Sequence, residues 1–245
     1  MEDREYHPLH TLKLIAPELW VVDGPSISFF GFHFPTRMVV CRLTNKKLWI
    51  HSPISLTPEL KTSLEKLGEV TYIIAPNTIH YWYMPKWQSE YPNAYIYADN
   101  KTVKRAKKHG RSFTPTHQLS NRASDVWHPD ITQWSLTPEE FISEVLFFHH
   151  PTHTLIVTDF FENFEANKLP WIPRQLIRLA GALAPNGSTT IDQRWFYRRH
   201  QKHLQKIIWE ISTLKPKNII MAHGAIVKND AEEFFTKATS WINSN

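Results

Sequence analysis

Four apolar runs in this 245-residue chain stop at a residue able to bind a metal or hold a polar ligand. KLWI ends at His51. TYII leads through Ala-Pro to Asn77 and His80. TLIVT ends at Asp159, and NIIMA ends at His223. Imidazole nitrogens and carboxylates are donors that zinc, ferrous iron and manganese accept. Three such ligands leave a position open for water, whose pKa the ion lowers toward neutrality. In open α/β sheets ligands bind beyond the carboxyl ends of strands, which is where these residues fall. Spacing alone is a weak signal, because any α/β protein carries polar residues at strand ends.

The elements that must position them are legible from pattern. ELWVVDG (18–24) reads as a strand, and 26–53 holds two or three more with a turn at Asn45-Lys46. Thr57 and Pro58 open a helix that Gly68 ends. VTYIIA (70–75) is a buried strand, Asn77 caps a helix to about Tyr91, AYIYA (94–98) is a strand, and a basic helix fills 100–109. In the second half ITQWSL (131–136), EVLFFHH (144–150) and TLIVTDF (154–160) are strands, the last two joined by a Pro-containing turn. Helical patterns cover about 172–184 and 192–214, strand NIIMA (218–222) follows, and a last helix spans about 229–243 with Trp241 on its apolar side. Strands leading and helices alternating with later strands predict a layered α/β fold, sheets packed on each other with helices outside.

Each candidate has a plainer alternative. His80 and His223 would serve equally as hydrogen-bonded core histidines, with Asp159 satisfying a neighbouring loop. Asn77 stands where a helix N-cap is needed. His51 is a fourth ligand, an orienting partner or a packed interior histidine. His149, His150 and His153 flank Pro151 between two strands, so they read as hairpin residues. Tyr81, Trp82, Tyr83 and Trp87 have helical spacing and read mostly as core. Cys41 reads as a buried, inert thiol.

The pattern HSP … APN-x-x-H … TD … AHG, with the order of its elements over about residues 15–243, resembles the metallo-β-lactamase fold superfamily, and within it a reduced family of unknown function. In the full superfamily the corresponding loop reads H-x-H-x-D-H. Laid on this chain it falls on Ala75, Asn77, Ile79 and His80, so the final histidine alone is kept. The bridging aspartate matches Asp159, the last histidine matches His223 before Gly224, and an early aspartate falls at His51. The resemblance implies a four-layer αββα sandwich over a single domain, residues 1–245. It also implies one Zn, Fe or Mn ion, or none, held by His80, Asp159 and His223. Asp159 would double as proton acceptor, and His51 and Asn77 would be secondary contributors at the cofactor. The implied activity is mononuclear, metal-dependent hydrolysis of an unknown small molecule. The alternative is a non-catalytic binding or scaffold protein with a vestigial metal site.

Composition narrows the classes further. Seventeen prolines and seven glycines suit a compact fold with rigid loops. One cysteine forms no internal disulfide and suits a reducing compartment, so a cytoplasmic protein is expected. The N-terminal stretch lacks the apolar core of a signal peptide. No apolar run approaches bilayer-spanning length, and no membrane partner is expected. The net charge is +5, with basic clusters at 101–111 and 198–203. These read as solvated helix faces; the alternative is a nucleic-acid or anionic-surface partner, with nucleic acid the weakest reading because they lack interleaved aromatics.

Overall fold

The structure is a computed structural model that describes residues 5–29, 32–121, 124–137 and 144–243. Residues 5–27 and 33–120 form a first compact unit, and the described residues of 121–243 form the body of a second.

The first unit carries a seven-stranded sheet in simple chain order. Its strands are β1 (Lys13–Ala16), β2 (Leu19–Phe29), β3 (Phe32–Arg42), β4 (Lys47–His51), β5 (Glu69–Ile74), β6 (Tyr95–Ala98) and β7 (His117–Gln118). β1 pairs antiparallel with β2, and β3 with β4. From β4 onward the pairs are parallel. Each parallel step needs a crossover, and the helices supply them: α1 (Pro58–Leu67), α2 (Met84–Glu90) and α3 (Asn100–Lys108).

Capping follows the sequence in part. Thr57 Oγ1 accepts from the Leu60 N–H at the start of α1, and Asp99 Oδ1 accepts from the Thr102 N–H at the start of α3. Gly68 closes α1 in an extended conformation, and its need for glycine is spatial: a Cβ there would sit 2.9 Å from the Lys46 carbonyl oxygen. The expected helix from Asn77 to Tyr91 is corrected. α2 begins only at Met84. Pro85 cannot donate the helical hydrogen bond and its ring would crowd the Tyr81 carbonyl, so it is tolerated in a first turn and not mid-helix.

Strand alternation sorts the side chains of β4. Leu48 and Ile50 join a cluster with Leu60 and Leu64 of α1, Ile73 of β5 and Ile96 of β6. Trp49 and His51 therefore occupy the opposite face of the strand.

The second unit carries a five-stranded sheet, ordered β12-β11-β10-β9-β8. Its strands are β8 (Ile131–Ser135), β9 (Val145–His149), β10 (Thr154–Ile156), β11 (Asn218–Ile220) and β12 (Val227–Lys228). β10 and β11 run parallel and the other pairs antiparallel. Leu146, Leu155 and Ile219 pack against α6 (Gln201–Thr213) and α7 (Ala231–Thr239) through Leu204, Ile211 and Phe235. The helical pattern over 192–214 resolves into α5 (Ile191–Tyr197) and α6, separated by a 3-10 turn at Arg198–His200. The pattern over 172–184 stops earlier, as α4 (Trp171–Ala180), because Gly181 turns left-handed at φ 81°. Trp241 is partly buried against the same core.

Candidate functional site

In the second unit the two parallel strands β10 and β11 stop in register, Ile156 beside Ile220. Asp159 and His223 each lie three residues further on. The paired course continues past the strands: the Val157 N–H donates to Ile220 O, and the Ala222 N–H donates to Thr158 O. Equal overhang from one sheet edge brings the two side chains together. Asp159 Oδ1 and His223 Nε2 are 3.2 Å apart and both residues are buried. The His223 ring lies parallel to Phe164, with centroids 6.2 Å apart.

The loops that carry this pair are fixed from behind. The Glu144 carboxylate, just before β9, accepts hydrogen bonds from the backbone N–H groups of Thr158, Asp159 and Phe160 at 2.8, 3.0 and 3.2 Å. Burial pushes the Glu144 pKa up, the neighbouring Asp159 charge adds to this, and the three N–H donors oppose it. Asn163 ties two further loops, accepting from the Gly187 N–H and donating from Nδ2 to Ala225 O. Gly224 explains the glycine after His223. Its φ is 93°, and a Cβ there would meet the Asn163 carbonyl oxygen at 2.1 Å. Glu162 is held up at about 7, mainly by burial; His223 pulls it down, while the charges of Asp159, Asp192 and Glu144 push it up.

In the first unit the same logic applies to β4 and β5. They are parallel with His51 beside Ile74, and the Ser52 N–H donates to Ile74 O. Ser52 and the loop after β5 thus leave one sheet edge together. Asn77 Oδ1 accepts from the N–H groups of Ile79 and His80 at 2.9 and 2.8 Å. Asn77 thereby caps a turn ahead of α2, with His80 held inside that turn. Ser52 Oγ lies 2.7 Å from His80 Nδ1, and Ser52 adopts a left-handed φ of 54°. His51 is buried and stacks on Trp49 with ring centroids 5.6 Å apart.

The hairpin histidines behave as hairpin residues. His149 Nδ1 meets Thr152 Oγ1 at 2.8 Å, His150 Nε2 meets Thr132 Oγ1 at 2.7 Å, and His153 Nδ1 meets Leu214 O at 3.1 Å. Cys41 is buried. Among the described residues, Ser52, Glu144, Glu162 and Asn163 are the polar groups around the candidates that pattern reading passes over. Glu144 looks like an ordinary strand-start residue, and Ser52 is the middle of the HSP motif with no local feature to single it out.

The fold has solved counterparts. A metallo-β-lactamase from Pontibacter korlensis matches with a TM-score of 0.63 at 10% identity, over 96% of this chain and 99% of that one. The metallo-β-lactamase FIM-1 from Pseudomonas aeruginosa, in its mono-zinc form, matches at 0.62 and 10% identity, over 95% and 94%. Rubredoxin oxygen:oxidoreductase from Desulfovibrio gigas matches at 0.65 and 11% identity, over 95% of this chain and 62% of that one. None of the curated proteins matches the chain in sequence. The family model for a domain of unknown function, DUF4336, matches residues 17–180, a span that includes His80 and Asp159. The chain has the metallo-β-lactamase fold and belongs to the DUF4336 family.

Proposed function

We propose that the protein is a mononuclear metal-dependent hydrolase with His80, Asp159 and His223 as its ligands. The observation that carries this reading is the buried Asp159–His223 pair. Two donor atoms each about 2.1 Å from a tetrahedral ion stand roughly 3.4 Å apart; Asp159 Oδ1 and His223 Nε2 are 3.2 Å apart. The pair therefore fits an ion with little rearrangement, and the same separation serves a hydrogen bond when none is bound. The mono-zinc form of FIM-1 supports a one-metal site on this fold. Ala75, Asn77 and Ile79 supply neither imidazole nor carboxylate where the superfamily loop has them, which supports a single ion rather than two.

A bound zinc, iron or manganese ion supplies Lewis acidity and a water that ionises near neutrality. The chain's own groups orient and hold. Ser52 engages His80 Nδ1, so the nitrogen left for a ligand is Nε2. Glu144 fixes the Asp159 backbone. Asp159, as the carboxylate of the set, is also the group to take up a proton. Asn77 contributes through the turn that holds His80, and His51, stacked on Trp49, through its place next to Ser52 in the chain.

Metal titration of the purified chain, with a hydrolysis panel of esters, thioesters, phosphodiesters and lactams, tests the reading. About one ion per chain is expected, lost in His223→Ala together with any hydrolysis. If the metal-free chain takes up no zinc at micromolar concentration, the alternative of a non-catalytic binding protein replaces it.

A further inference from the structure

α4 is a ten-residue helix with no buried residue. Trp171, Ile172, Leu176 and Leu179 fall within an arc of about 140° at 100° per residue. All four are 50–73% exposed. An amphipathic helix ordinarily turns its apolar stripe to the core, and this one turns it outward. α5 adds exposed Ile191, Trp195 and Phe196. The Arg194 guanidinium of α5 lies beside Gly181, at the end of α4, so the two helices are neighbours there.

The charge around this apolar surface is one-sided. Residues 171–202 contain six Lys or Arg and a single Asp, Asp192, an excess equal to the whole chain's net charge of +5. Arg178, Arg198, Arg199 and Lys202 are exposed. Arg174 and Arg178 border the Trp171 side of the α4 stripe. Tryptophan and leucine on one face with arginine along its edge is the composition of helices that lie in a membrane interface, where indole rings settle at headgroup level. A second copy of the chain is a poor occupant, because a two-fold contact would set this basic surface against itself. Among the described residues no helix is long and apolar enough to cross a membrane, so the contact is peripheral.

We propose that the α4–α5 surface docks the protein on an anionic lipid bilayer.

The test is co-sedimentation of the full chain with phosphatidylcholine vesicles, with and without phosphatidylglycerol. Binding is expected to the anionic vesicles alone and to weaken as salt rises. Arg198→Gln with Arg199→Gln should lower partitioning roughly fivefold per arginine. Leu176→Ser with Leu179→Ser should lower it at least about tenfold. All four positions are exposed, so melting temperatures should stay at the wild-type value, and the arginine pair keeps the test standing should the leucine pair fold poorly. Wild-type protein remaining in the supernatant with anionic vesicles at low salt overturns the proposal. So does a leucine-pair variant that binds as well as wild type, or a wild-type dimer in sedimentation velocity that the leucine pair dissolves.

Discussion

Ser52 Oγ stands 2.7 Å from His80 Nδ1, and Ser52 takes a left-handed backbone at φ 54° where it makes that contact. A β-carbon in this region costs about 1 kcal/mol relative to glycine. Ser52→Ala and Ser52→Gly both delete the hydroxyl, and the glycine variant alone is relieved of the strain. The expected outcome is that Ser52→Gly is about 1 kcal/mol more stable than Ser52→Ala by urea unfolding. Both should bind zinc at least about tenfold more weakly than wild type, since second partners of ligating histidines carry that much affinity. Equal zinc affinity in all three would remove Ser52 from the site.

Glu144 makes a second test independent of His80. Its two oxygens take three backbone N–H groups from the loop that bears Asp159. Glu144→Gln keeps one acceptor oxygen for the Thr158 and Phe160 N–H groups and sets an NH₂ group against the Asp159 N–H. At a buried position this should cost about 2–3 kcal/mol. Denaturant unfolding measures the stability, and zinc titration should show weaker binding because the Asp159 backbone is freed. A variant as stable as wild type would mean that the loop is held by other contacts.

Much of this architecture is legible in the sequence because apolar β-branched runs alternate with turn and capping residues. Thr57-Pro58 marks a true helix start, and the strand-end positions of His51, Asp159 and His223 follow from the runs before them. The start of α2 is not legible at Asn77, which carries the mark of an N-cap and does cap, but a turn; Pro85 sets the helix start. Ser52, Glu144 and Asn163 were not legible for a different reason. Their roles depend on which strands become parallel neighbours and on loops that meet across long sequence separations, such as Glu144 with Phe160 or Asn163 with Ala225. No local periodicity encodes such contacts.

Gly224 provides a contrast with Gly110. Both have positive φ, 93° and 70°. A Cβ on Gly224 would meet Asn163 backbone at 2.1 Å, while a Cβ on Gly110 has nothing within 4 Å. Gly110→Ala should therefore cost only the conformational term, about 1 kcal/mol. Gly224→Ala should cost more than about 3 kcal/mol, because the loop carrying His223 must move off Asn163. Thermal unfolding of the two variants side by side measures the difference. Similar losses would mean that the 163 and 224 loops separate readily.

The pH dependence of folding should carry the signature of His149. The residue ends β9, is buried, and keeps Nδ1 on Thr152 Oγ1. Burial lowers its pKa from 6.5 to about 4; Asp130 acts in the opposite direction and His150 in the same one. Above pH 6.5 the ring is neutral in both folded and unfolded chains, so this contribution to stability is fully present. Between pH 6.5 and 4 the unfolded chain takes up a proton that the folded chain refuses, and stability falls with falling pH. Below about 4 both states are protonated and the loss levels off. Over the whole window it amounts to about 3 kcal/mol. His149→Asn keeps an amide near the Nδ1 position and removes the titration. Urea unfolding of wild type and His149→Asn at a series of pH values across that window isolates the residue, since the remaining carboxylates titrate alike in both. The variant is expected to lose nearly one proton's worth of slope, and parallel slopes would show that His149 is charged in the folded protein.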